Sequence, residues 1–116
     1  MYPKGGSTIP DAGKLEVNAK TGTKGSIGKY GEEDLYQFTA DADGRFVIET
    51  EGETDVVMKL FGPDNETALI AEDDDSGVDV NARIVADLIC GKYYVQIRHY
   101  NREGGTGDYS VRVSKN

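Results

Sequence analysis

Glu72-Asp73-Asp74-Asp75 sets four carboxylates side by side, followed by Ser76-Gly77 and then by Asp79 and Asn81. Neighbouring anions repel, so a loop that gathers them needs a counter-charge. A hard cation such as Ca²⁺, which takes six to eight oxygens in flexible geometry, is the natural one. In an extended chain Asp73 and Asp75 converge while Asp74 points away. Asp79 and Asn81 add oxygens from the returning limb. Asp73, Asp75, Asp79 and Asn81 are therefore the candidate Ca²⁺ ligands. The plainer alternative is a solvated turn whose aspartates accept backbone N–H groups. The spacing is not that of an EF-hand, because counting from Asp73 gives no glycine at the sixth position and no glutamate at the twelfth. Glu32, Glu33 and Asp34 form a second candidate group, for which an exposed turn is the simpler account.

Catalytic chemistry finds little support. Asp75-Ser76-Gly77 matches the aspartic-protease triplet, but that dyad needs two carboxylates sharing a proton in a guarded site. Glu72, Asp73 and Asp74 immediately upstream suit solvent instead. His99 is the single histidine, so any Ser-His or Cys-His mechanism must use it. It stands between Arg98 and Tyr100 with no evident acid to orient it. Cys90 is also single and reads as a buried small side chain at a turn. No enzyme is expected.

The chain of 116 residues carries a net charge of −8. Its basic residues are scattered, which argues against nucleic acid and anionic membranes. No apolar run approaches the length of a membrane span, and the start of the chain lacks a signal-peptide core. An extracellular setting, with any signal outside this sequence, suits the acidic surface.

The elements that must carry these residues are short strands. Residues 1–13 are rich in Gly, Pro and Ser and read as a linker or tail, leaving 14–116 as one domain. Strand patterns then recur between turn signals such as Asp41-Ala42-Asp43-Gly44 and Gly62-Pro63-Asp64-Asn65. The clearest are Tyr93–Arg98 and Tyr109–Ser114, where Tyr93, Val95 and Ile97, and Tyr109, Val111 and Val113, share one face. The opposite faces are expected to be wet. Eight or nine such strands predict an all-β, jelly-roll-like antiparallel β-sandwich. The only helical hint is a turn near Val85-Ala86-Asp87-Leu88. Tyr94, Gln96, Arg98 and Tyr100 line the outer face of one strand, and aromatic and Arg groups are common binding anchors. They are the candidate ligand-binding surface.

Gly31-Glu32-Glu33-Asp34-Leu35-Tyr36-Gln37-Phe38 resembles the G-x-x-D-x-Y-x-F segment of the bacterial pre-peptidase C-terminal domain. The likeness continues through Gly44–Thr50, Thr54–Phe61, Leu69–Ala71 with the acidic loop, Asn81–Ile84 and Gly91–Ile97. It ends with Gly107–Val113. The resemblance implies a jelly-roll-like module attached to a secreted protease and related to the collagen-binding domains of clostridial collagenases, several of which bind Ca²⁺. Two departures stand out. The acidic linker segment of many relatives is replaced by Gly5–Gly13, and Cys90-Gly91 stands where Pro-Gly is common.

The resulting expectation is a non-catalytic accessory module, stabilised by Ca²⁺, of a secreted protease or related exported protein. Its partners are expected to be the parent catalytic domain and a protein substrate such as a collagen-like or other extracellular polymer. Because one fold hosts many ligands, a carbohydrate-binding or adhesion module is the alternative.

Overall fold

The computed structural model describes residues 13–28, 31–65, 67–74, 81–101 and 105–115. They form β1 (Gly13–Lys14), β2 (Thr23–Ile27), β3 (Glu33–Ala40), β4 (Gly44–Glu51), β5 (Val56–Phe61), β6 (Leu69–Asp73), β7 (Arg83–Leu88), β8 (Gly91–His99) and β9 (Gly107–Lys115). One sheet has the order β1-β3-β8-β5-β6 and the other β2-β9-β4-β7. Every pairing is antiparallel except β1 with β3. This is the two-sheet sandwich that the strand pattern predicts.

Alternation decides which side chains fill the space between the sheets. Tyr36 and Phe38 of β3, Met58 and Leu60 of β5, and Tyr93, Val95 and Ile97 of β8 enter it from one side. Phe46 and Ile48 of β4, Ile84 and Leu88 of β7, and Tyr109, Val111 and Val113 of β9 enter from the other. Phe38 stacks on Tyr93 with ring centroids 5.5 Å apart and meets Phe46 at 6.1 Å, joining the layers. Sheet-on-sheet packing of this kind hides one face of each strand.

One polar cluster lies inside this core. The Tyr109 hydroxyl donates to Asp34 Oδ2 at 2.6 Å. Its one proton is thereby committed, so the Tyr36 hydroxyl 2.7 Å away donates to it. Gly25 of β2 sits against both phenols: a Cβ there would fall 2.6 Å from the Tyr109 ring and closer still to the Tyr36 hydroxyl. No larger residue fits without moving a ring. Burial pushes the Tyr36 phenol up to about 12. It pushes Tyr109 further in the same direction, with the neighbouring Tyr36 and Asp34 adding to the effect.

Two expectations need correction. The segment Val85–Leu88 is not a helical turn but the end of β7, which pairs with β4 from Glu49↔Arg83 to Gly44↔Leu88. Counted from Arg83, Ile84 and Leu88 are buried while Arg83, Val85 and Asp87 are exposed. The alternation was hidden because it begins two residues before the quartet. The outer face of the five-stranded sheet is also not simply wet. Tyr94 is only 7% exposed and Val57 only 4%, although both point away from the core. The cross-strand neighbours of Tyr94 are Gln37 and Phe61, and large side chains on a pleated face shield each other.

Candidate binding surface and cation loop

The register of three strands builds the outer face on which Tyr94, Gln96 and Arg98 lie. Gln96 stands between Leu35 and Lys59, and Arg98 between Glu33 and Val57. Tyr94 is flanked by Gln37 and Phe61. The middle of this surface is therefore a half-buried patch of Leu35, Gln37, Phe61 and Gln96 around the ring of Tyr94. Leu35, Gln37 and Phe61 were not singled out in the sequence. The signal existed, since Leu35 is out of phase with Tyr36 and Phe38, but only the register brings it beside Gln96.

Arg98 does not project as a free anchor. Its Nη1 donates to the His99 and Tyr100 carbonyls at 3.0 and 3.4 Å, turning the guanidinium toward the strand end. Tyr100 lies just past β8 and is 58% exposed, its N–H held by the Asp55 carbonyl at 2.8 Å. The four candidate residues thus form a line that runs from a shielded ring to an open one.

Strand alternation separates the Glu32, Glu33 and Asp34 group. Asp34 is fully buried on the inner side, with Tyr109 as its donor. Glu33 lies opposite Arg98 on the outer side. Glu32 is buried, and its Oε1 accepts the Gly28 N–H at 3.1 Å. These three do not converge on one point.

The acidic loop begins as β6 ends. Asp73 closes that strand, and its Oδ2 accepts the Arg83 N–H at 2.8 Å, linking β6 to the first residue of β7. Ala82 is anchored from the other side: it donates to Thr50 Oγ1 at 2.9 Å and accepts from Thr50 N–H at 3.0 Å. Asn81 is held next to that anchor, and its buried Oδ1 has no hydrogen-bond partner among the described residues. An orphaned buried acceptor is costly, and a cation would satisfy it. Asp75 and Asp79 lie outside the described residues, as does the Asp75-Ser76-Gly77 triplet. Among the described residues no three His, Cys, Asp or Glu side chains gather at one point.

His99 Nδ1 accepts the Asn101 N–H at 2.9 Å, which makes it a loop-holding group. Cys90 is exposed rather than buried as its small side chain suggests, because it sits in the turn between β7 and β8, where its N–H donates to Asp43 Oδ1 at 2.9 Å. A shallow groove of about 820 Å³ opens over the four-stranded sheet, lined by Lys24, Ser26, Glu51, Asp108 and Ser110 among others. Neither His99 nor Cys90 lines it. No helix among the described residues is long and apolar enough to cross a membrane.

No family model matches the chain, and no curated protein shows significant similarity to it. Solved structures do match. The pre-peptidase C-terminal domain of collagenase from Bacillus anthracis superposes with a TM-score of 0.70 at 22% identity, over 86% of this chain and 91% of that one. PliG of Aeromonas hydrophila, a periplasmic inhibitor of g-type lysozyme, gives 0.62 at 18% identity over 89% and 96%. The PliG of Salmonella Typhimurium gives 0.54 at 18% identity. At these identities the likeness is one of fold: the chain is an all-β sandwich built like the pre-peptidase C-terminal domain, as its motif series implies.

Proposed function

We propose that this chain is a non-catalytic binding module of an exported protease or related exported protein, and that it holds a protein substrate against the outer face of β3, β8 and β5. The observation that carries the reading is that face itself. Leu35, Gln37, Phe61 and Gln96 surround a shielded tyrosine, which gives a pre-packed apolar and amide surface with little side-chain entropy left to lose. The parent catalytic domain is the second partner, and the setting is extracellular or periplasmic, a reading supported by the periplasmic inhibitor that shares the fold.

Within this reading Ca²⁺ braces the loop between β6 and β7 through Asp73, Asp75, Asp79 and Asn81. The orphaned Asn81 oxygen supports it. The cation would supply fixed positive charge there and no chemistry.

Co-sedimentation with insoluble collagen, gelatin and a panel of polysaccharides tests the main reading. Binding to a protein polymer, weakened about tenfold or more by Gln96→Lys or Tyr100→Ala, is the expected result. Retention by polysaccharide alone would favour the carbohydrate-binding or adhesion alternative. A second reading rests on the PliG overlay, which spans 96% of a periplasmic inhibitor of g-type lysozyme. Inhibition of a g-type lysozyme in a cell-wall lysis assay would favour it over substrate recruitment.

A further inference from the structure

The four-stranded sheet ends at β7, and among the described residues no strand pairs with its far side. Thr50 N–H donates to the Ala82 carbonyl, which fixes the hydrogen-bonding phase of this ladder. Antiparallel alternation then turns the N–H and C=O groups of Ile84, Ala86 and Leu88 toward β4. Those of Arg83, Val85 and Asp87 face outward from the sheet. Arg83 N–H is already taken by Asp73. Among the described residues, no strand takes the outward N–H and C=O groups of Val85 and Asp87.

The side chains on this edge have an internal symmetry. Arg83 and Asp87 lie two residues either side of Val85, which is 46% exposed. When β7 meets itself antiparallel about Val85, Arg83 stands opposite Asp87 of the second copy, and Asp87 opposite its Arg83. Val85 then meets Val85 on the two-fold axis. β4 already presents this pattern to β7, with Arg45 opposite Asp87, Val47 opposite Val85 and Glu49 opposite Arg83. Arg45 and Asp87 are bridged at 3.2 Å, and Arg83 and Glu49 at 3.7 Å. A second β7 would extend these charge ladders without a like-charge pair.

The same side of the molecule concentrates exposed apolar groups. Of the five large hydrophobic side chains left exposed among the described residues, Leu69 and Ile70 lie on β6, Val85 on β7 and Ile89 just after it. β6 is the edge of the other sheet next to β7.

We infer that β7 is a self-association edge: two copies of this chain pair antiparallel about Val85, joining their four-stranded sheets into one of eight strands. The interface is isologous, so one residue pattern serves both sides. Four backbone hydrogen bonds close it, two between the Val85 residues and two from Asp87 N–H to the Arg83 carbonyl of the other copy.

Sedimentation velocity of the whole chain, up to about 1 mM because a short ladder makes a small interface, tests this. The wild type is expected to show a concentration-dependent dimer. Arg83→Asp places Asp opposite Asp and Asp87→Arg places Arg opposite Arg, so each variant alone is expected to associate at least tenfold more weakly. Mixing the two restores Asp opposite Arg at both positions, and a heterodimer is expected to return. The Arg45–Asp87 pair is exposed and the Arg83–Glu49 pair only partly covered, so their loss costs folding little, which a melting curve checks. Val85→Lys, which sets two ammonium groups on the two-fold axis, is the independent variant and is expected to be monomeric. A wild type that stays monomeric throughout overturns the inference. So do variants that associate like the wild type, or a mixture no more associated than its parts.

Discussion

Tyr109 does more for this fold than its size suggests, because its hydroxyl joins the phenol of Tyr36 to the carboxylate of Asp34 inside the core. Tyr109→Phe keeps the ring but leaves the Tyr36 hydroxyl without its acceptor and takes a donor from Asp34. A loss of about 1–3 kcal/mol in urea denaturation is expected. The phenols also make stability sensitive to alkali. Burial raises both above the ordinary tyrosine value of 10.0, Tyr36 to about 12. Between the unfolded and folded values the native state holds protons that the unfolded chain has released. Stability from this pair is therefore complete below pH 10 and falls as pH rises beyond it. Urea midpoints measured from about pH 8 to pH 11 are expected to be flat at first and then to decline, and Tyr109→Phe is expected to soften the decline.

At the scale of the element, the decisive region is where β6 hands over to β7. Asp73 caps Arg83 N–H, Thr50 clamps Ala82, and Asn81 is left with a buried oxygen that lacks a partner among the described residues. If Ca²⁺ fills this place with about 10 μM affinity, millimolar ion adds roughly 2.7 kcal/mol, a rise of roughly 10 °C in Tm for a domain of this size. Asn81→Ala is expected to reduce that rise, as read by calorimetry with and without chelator. Melting that ignores both ion and chelator would refute the cation. The Asp73 cap also bears on the self-association inferred above, since it removes the Arg83 N–H from the outer edge of β7.

For the whole molecule, one point where the two sheets meet is at Gly25 of β2, which leaves room for the Tyr36 and Tyr109 phenols to touch. Gly25→Ala puts a methyl group against both phenols, and overpacking of this kind costs about 1–3 kcal/mol. Chemical denaturation is expected to show the loss with the cooperative transition retained. The same architecture gives the molecule two different outer surfaces. The five-stranded sheet presents the patch around Tyr94, while the four-stranded sheet presents paired charges and ends at β7 among the described residues. Substrate on one sheet and a second copy at the edge of the other could be held together, so avidity would multiply a weak single-site affinity.

The two-sheet architecture and most of its core are legible in the strand patterns alone. Period-two patterns in Tyr93–Arg98 and Tyr109–Ser114, with turns between them, admit only half-buried strands, and a chain of such strands has few ways to hide its apolar faces. Local alternation carries that information, so no partner strand had to be known. Tertiary structure alone decided which outward residues become neighbours. Leu35, Phe61 and Tyr94 are far apart in sequence and meet only through the registers of β3, β5 and β8. Glu32, Glu33 and Asp34 are adjacent in sequence yet part company, because the pleat sends Asp34 into the core and Glu33 outward. Whether β7 is an edge is likewise invisible in Arg83–Leu88. Strand order arises from long-range pairing, and only that order leaves the Arg83–Asp87 edge without a partner strand among the described residues.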